Sequence, residues 1–101
     1  MEVENVQVAI HLNRFFEKCS SDPRIGTAHI AVYMAILNIW LKRGCTNSIY
    51  LFSWEVMPEA KISGRMTYRK AIRELCEYGY LFYRASMSKH RGSRFELCCN
   101  V

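Results

Sequence analysis

The chain has little of what would mark an enzyme, a secreted scaffold or a membrane protein. It has two prolines and five glycines in 101 residues, with no low-complexity tract, internal repeat or long Pro/Gly/Ser linker. Collagen-like, linker-like and repeat architectures are excluded on that ground. No glycine-rich phosphate loop appears, and no Ser/His/Asp, Cys/His or paired-carboxylate arrangement is visible, so the chain reads as a non-enzyme. The most apolar stretch, Ala28–Leu41, is broken by His29 and Asn38. It is shorter than the roughly 17–25 residues that cross a bilayer. The start, Met1-Glu2-Val3-Glu4-Asn5, lacks the basic opening and apolar run of a secretory signal, so the expectation is a cytoplasmic protein without a membrane partner.

Cysteine pairing is equally unsupported. Cys19, Cys45, Cys76, Cys98 and Cys99 make an odd set, which argues against a disulfide framework. Cys98 and Cys99 are adjacent and form no C-x-x-C hook, while His11, His29 and His90 share no ligand spacing, so neither a metal nor another cofactor is expected. Cys76 lies near several cations, but its place beside Ile72 and Leu75 favours burial over redox sensing.

What is present is an uneven charge. The formal net charge is +5, yet residues 61–94 alone carry +7 and the remainder carries −2. Such asymmetry points to a polyanionic partner.

Half the residues are apolar, enough to build a core in a single domain over 1–101. Val8, Ile10, Leu12, Phe15 and Phe16 fit a helix over Val6–Cys19, ended by Ser20-Ser21-Asp22-Pro23. A second helix is expected from Thr27 to Gly44. Its apolar residues cover most of its circumference, so it lies either central in the core or against a second subunit, which motivates a homodimer. These two form a helical part over 6–44. Asn47–Phe52 reads as a brief strand, Ser53 as the N-cap of a helix over Trp54–Ala60, and Ser63 as the cap of a third major helix reaching Tyr78, with Gly79 as its C-cap. Strands follow at Tyr80–Ala85 and Arg94–Cys99; in the second, Phe95, Leu97 and Cys99 share one face. The fold class is therefore mainly α with a small β-hairpin (α+β): a helix-turn-helix over 53–78 and a hairpin over 80–99. Trp40, Tyr50, Phe52, Trp54, Tyr68, Tyr80, Phe82 and Tyr83 are expected in the core.

The helix Ser63–Tyr78 carries the chemistry. Tyr68, Ala71, Ile72 and Leu75 recur at three to four residues and form a packing face. Arg65, Arg69 and Arg73 form a separate stripe, with Met66 and Lys70 beside it. A helix that reads a DNA groove needs this division, because apolar residues fix it while cations reach bases and phosphates. Arg65, Met66, Thr67 and Arg69 lie at the end that enters deepest. The segment Ala85–Arg94 adds Ser86, Lys89, His90, Arg91 and Arg94, which suit a phosphate backbone or minor groove. The alternative for the stripe is a solvated helix face, with Glu77 paired to Arg73.

Thr67-Tyr68-Arg69-Lys70-Ala71-Ile72-Arg73-Glu74-Leu75 followed by Gly79-Tyr80-Leu81 resembles the T-V-R-x-A-L-x-x-L…G-L-I pattern of many bacterial winged helix-turn-helix regulators. The resemblance implies that Tyr68 faces the core and that Arg69 contacts DNA. One more residue separates Ser63 from Thr67 than in the commonest version. His11-Leu12-Asn13-Arg14-Phe15-Phe16, with the long apolar helix, is similar to short winged-helix proteins of bacterial mobile elements. The resemblance implies a double-stranded DNA partner and a role as a transcriptional regulator or as a replication or transfer accessory factor. A protein–protein interaction module on the same fold is the alternative. No small-molecule ligand is evident.

Overall fold

A computed structural model describes residues 2–46, 48–86 and 92–97 of the chain. In chain order the elements are α1 (Glu2–Ser20), α2 (Thr27–Lys42), β1 (Ile49–Leu51), α3 (Ser53–Ala60), α4 (Arg65–Glu77), β2 (Leu81–Arg84) and β3 (Ser93–Leu97). The three strands form one antiparallel sheet in the order β1-β3-β2. Its register pairs Leu51 with Ser93 and Leu81 with Leu97. The fold is thus mainly helical with a small antiparallel hairpin sheet, a winged-helix-like α+β arrangement.

α2 is the axis of the core. Val32, Tyr33, Ala35, Ile36, Leu37, Ile39 and Trp40 are all buried, and the helix packs on α1, α3 and α4 together. Its near-continuous apolar circumference is consumed within one chain, so of the two expectations for this helix the central one holds. Phe15 of α1 stacks on Tyr33 at 4.1 Å and meets Tyr80 edge-on at 5.4 Å. Trp40 Nε1 donates to the Thr46 carbonyl at 2.6 Å, which secures the chain as it leaves the helix.

Element ends differ from the sequence reading by a few residues. Ser63 does not cap α4; Gly64 occupies that position without a side-chain bond. Ser53 is the first residue of α3 rather than its cap, and Phe52 precedes it. No side chain caps the first N–H groups of α3; instead Glu55 N–H reaches the Phe52 carbonyl at 3.0 Å, and the Glu55 carboxylate accepts the Phe52 N–H through Oε2 at 2.8 Å and Arg43 through Oε1 at 2.7 Å. At the α3–α4 turn Lys61 adopts φ 60°. That left-handed residue is held because Lys61 N–H reaches Pro58 and Ile62 N–H reaches Met57 (3.2 and 3.0 Å), and because Ile62 packs on the core.

Two aromatic expectations are corrected. Trp54 is 68% exposed and Phe82 40%. In α3 the buried positions are Val56 and Ala60, one turn apart. Trp54 lies two residues before Val56 and so on the opposite side. In β2, Leu81 is buried and alternation turns Phe82 outward.

Candidate nucleic-acid interface

α4 is divided as a groove-reading helix requires. Tyr68, Ala71, Ile72 and Leu75 are buried, with Leu75 wholly so. Arg65, Met66, Thr67, Arg69, Lys70 and Arg73 are all exposed on the other side, Met66 to 85%. The structure therefore brings together all six residues of this helix that the sequence singles out. Their setting is built by long-range contacts. Lys18 donates to the Gly79 carbonyl at 2.9 Å. Asp22 accepts the Tyr80 hydroxyl at 2.9 Å and a bidentate pair from Arg24 at 2.8 and 2.9 Å. Donation from Arg24, then from Tyr80, holds the Asp22 carboxyl far below its ordinary range. The C-terminal end of α4 is thereby clamped to the α1–α2 turn.

The acids of α4 are arranged so that its leading half keeps its positive charge. His29 Nδ1 accepts the Gly26 N–H at 2.9 Å, which places the ring proton on Nε2. Nε2 then donates to Glu74 Oε1 at 2.8 Å. This bond, ahead of the charges of Lys70 and Arg73, lowers the Glu74 carboxyl below the usual range. Glu74 is thus turned toward α2 rather than spread over the cationic face. Glu77 stands 3.7 Å from Arg73, both well exposed, so the expected surface pair exists at the trailing end. Arg65, Arg69 and Lys70 have no ion-pair partner among the described residues. Neither the His29–Glu74 bond nor its consequence is legible from spacing, because 45 residues separate the partners.

The hairpin contributes differently from the expectation. Lys89, His90 and Arg91 lie outside the described residues. Ser86 lies beside the α4–hairpin cleft, together with Ser53, Tyr68, Arg69, Tyr83 and Ser93; the cleft encloses about 210 Å³. Arg94 is on the sheet face that points away from the core, opposite Arg84 across the strands and bonded to Glu96 Oε2 at 2.7 Å. Its guanidinium is therefore already engaged, and its Nε is buried without a partner. Gly92 leads into β3 at φ +79°, packed so closely on Leu51 that a Cβ there would lie 2.8 Å from its carbonyl carbon and oxygen.

Among the described residues no group of three or more His, Cys, Asp or Glu side chains converges as a metal site. No described helix is long and apolar enough to cross a membrane. The described cysteines Cys19, Cys45 and Cys76 are in no disulfide, and each is half-buried. Beyond the winged-helix-like arrangement itself, the chain matches no family model, no curated protein and no solved structure.

Proposed function

We propose that this protein binds double-stranded DNA with α4 as its recognition helix and the β2–β3 hairpin as its wing. The observation that carries the reading is the uncompensated leading half of α4. Arg65, Arg69 and Lys70 are exposed and form no ion pair among the described residues, while Glu74, which feels the charge of Lys70, is hydrogen-bonded to His29. In water a helix face with an excess of cations repels itself; beside a phosphate backbone the same charges release counterions and gain affinity. Arg65, Met66, Thr67 and Arg69 stand at the end that approaches base edges, Lys70 and Arg73 nearer the backbone. Ser86 and the wing cations Lys89, His90 and Arg91 extend the contact to flanking phosphates, and Arg94 joins them by exchanging Glu96 for a phosphate. Replacing Arg65 and Arg69 together with Ala is expected to abolish specific retardation of a selected duplex while the circular dichroism spectrum stays unchanged. Retention of specific binding by that variant refutes the helix assignment.

The finer reading is a cytoplasmic transcriptional regulator, or a replication or transfer accessory factor, of the kind carried by bacterial mobile elements. It rests on the resemblance of the TYRKAIREL block. A homodimer, which suits palindromic sites, is the sequence expectation for the apolar α2; with α2 buried inside the chain, it would use α1, where Val6 and Phe16 are 57% and 46% exposed and Ala9 is exposed too. Phe16→Asp should then lower the mass in light scattering.

The second reading is a protein-interaction module. It is favoured by Trp54, 68% exposed and stacked on Phe52 at 5.3 Å, and by the bare Met66. It takes over if no duplex binds in a salt-sensitive manner.

A further inference from the structure

Between α4 and β2 lies a groove of about 530 Å³, within the range of sites that hold small organic ligands. Its base is Tyr68 and Ile72, 6% and 3% exposed, and its sides are the half-buried Cys76 and Tyr83. The charged groups on it are Arg69, Arg73 and Glu77. Glu77 stands near Arg73, and Arg69 is left without a counter-charge among the described residues.

Tyr68 supplies a second, independent observation. The residue as a whole is almost entirely buried and lines the groove; its hydroxyl makes no hydrogen bond to any described residue and is not itself fully buried, so it is the part of the side chain that solvent reaches. Burial, reinforced by the neighbouring Tyr83, raises the hydroxyl's pKa well above its ordinary value, so it remains a donor across the working pH range. Tyr83, by contrast, has Ser93 donating to its oxygen at 3.4 Å. An apolar base, one unused donor and one uncompensated guanidinium form a complementary set for a flat apolar body ending in an anion.

We propose that this groove is an effector site for a small aromatic carboxylate, whose ring lies on Ile72 and Cys76 and whose carboxylate is taken by Arg69 and the Tyr68 hydroxyl. The ring buries apolar area that water now covers. The carboxylate takes the place of water on the Tyr68 hydroxyl and neutralises Arg69. Because Arg69 is also assigned to the duplex, ligand and DNA compete for one cation. This regulatory half rests on the duplex-binding reading; the binding half does not. By reciprocity, whatever factor the ligand takes from duplex affinity, the duplex takes from ligand affinity.

The test uses the full chain and 2-naphthoate as the probe, titrated by calorimetry in the absence of DNA, with neutral 2-naphthalenemethanol as its uncharged counterpart. Saturable binding of 2-naphthoate, at least about tenfold tighter than the alcohol, is expected for a charge-assisted pair. Arg69→Gln should erase that preference while leaving the alcohol's affinity within about twofold. Ala85→Trp, at an exposed position on the rim of the groove, should weaken both probes at least about tenfold, and Cys76→Phe should do the same from the groove's side. Absence of saturable binding to the folded protein overturns the site. So does equal affinity for the two probes, a preference that survives in Arg69→Gln, or undiminished binding in both blocking variants. Saturating 2-naphthoate should weaken duplex binding by at least about threefold; an unchanged duplex affinity overturns the shared arginine. If no duplex binds at all while 2-naphthoate does, the DNA reading fails and the site stands.

Discussion

Replacing Gly92 with Ala should be among the most damaging single-methyl changes in this protein, and its cost separates into two parts. Gly92 has φ +79°, and an L residue in the left-handed region costs about 1–2 kcal/mol. The added Cβ also meets the carbonyl carbon and oxygen of Leu51 at 2.8 Å and its nitrogen at 3.2 Å. Those are backbone atoms of a paired strand, which cannot swing aside as a side chain can, and overpacking of this kind costs about 1–3 kcal/mol more. The sum, about 2–5 kcal/mol, is a large share of the roughly 5–15 kcal/mol that holds a small domain. At roughly 4–8 °C per kcal/mol the midpoint should drop by at least about 8 °C. Gly44 provides the control: its φ is +86°, but nothing lies within 4 Å of the added Cβ. Gly44→Ala should therefore lose only the conformational part, about 1–2 kcal/mol. The assay is urea unfolding of the three proteins at 25 °C, followed by circular dichroism. Equal losses in the two variants, or an undiminished Gly92→Ala, would show that the hairpin does not close on Leu51 as described.

Acidification should destabilise the fold through His11. The ring is 7% exposed and packs edge-on against Trp40 at 4.9 Å, with Nδ1 unpartnered; burial first, then the charge of Arg14, lowers its pKa from 6.5. Only the unfolded chain takes up this proton just below pH 6.5, so stability is level above that pH and falls beneath it, by at most about 1.4 kcal/mol per pH unit. His11→Phe should flatten this slope between pH 6.5 and 5, and an identical slope in the variant counts against the assignment. Glu74→Ala strands the His29 Nε2–H and loosens α4 from α2, for an expected loss of about 1–3 kcal/mol in urea unfolding; a change below about 0.3 kcal/mol would mean that bond is idle. Leu75→Ala, at a fully buried position, should cost about 2–5 kcal/mol, and a small loss would place the packing face of α4 elsewhere.

The parts of the fold that the sequence discloses are those with a short repeat. Tyr68, Ala71, Ile72 and Leu75 recur at helical spacing, and Phe95 and Leu97 alternate in β3, so the packing faces and the cationic stripe are both readable from order alone. The same periodicities place Trp54 opposite Val56 and Phe82 opposite Leu81. Expecting those rings in the core gave aromatic character more weight than position. Helix starts are harder, because Ser53 and Ser63 are good caps by type while Phe52 and Gly64, which offer no capping side chain, occupy the N-cap positions. Nothing local announces the groups that set the site's charge: Glu74 meets His29 across 45 residues and Tyr80 meets Asp22 across 58. Nor does spacing reveal that Tyr68, read as a core residue, also lines the groove between α4 and β2.

The salt dependence of duplex binding tests the central claim most directly. With about six cations of α4 and the wing neutralising phosphates, log K should fall linearly with log salt at a slope near −5. Removing Arg65 and Arg69 should reduce that slope by about 2 and lower affinity at every salt concentration. A folded protein whose duplex binding has a slope near zero, or the same slope with and without the two arginines, would contradict the account.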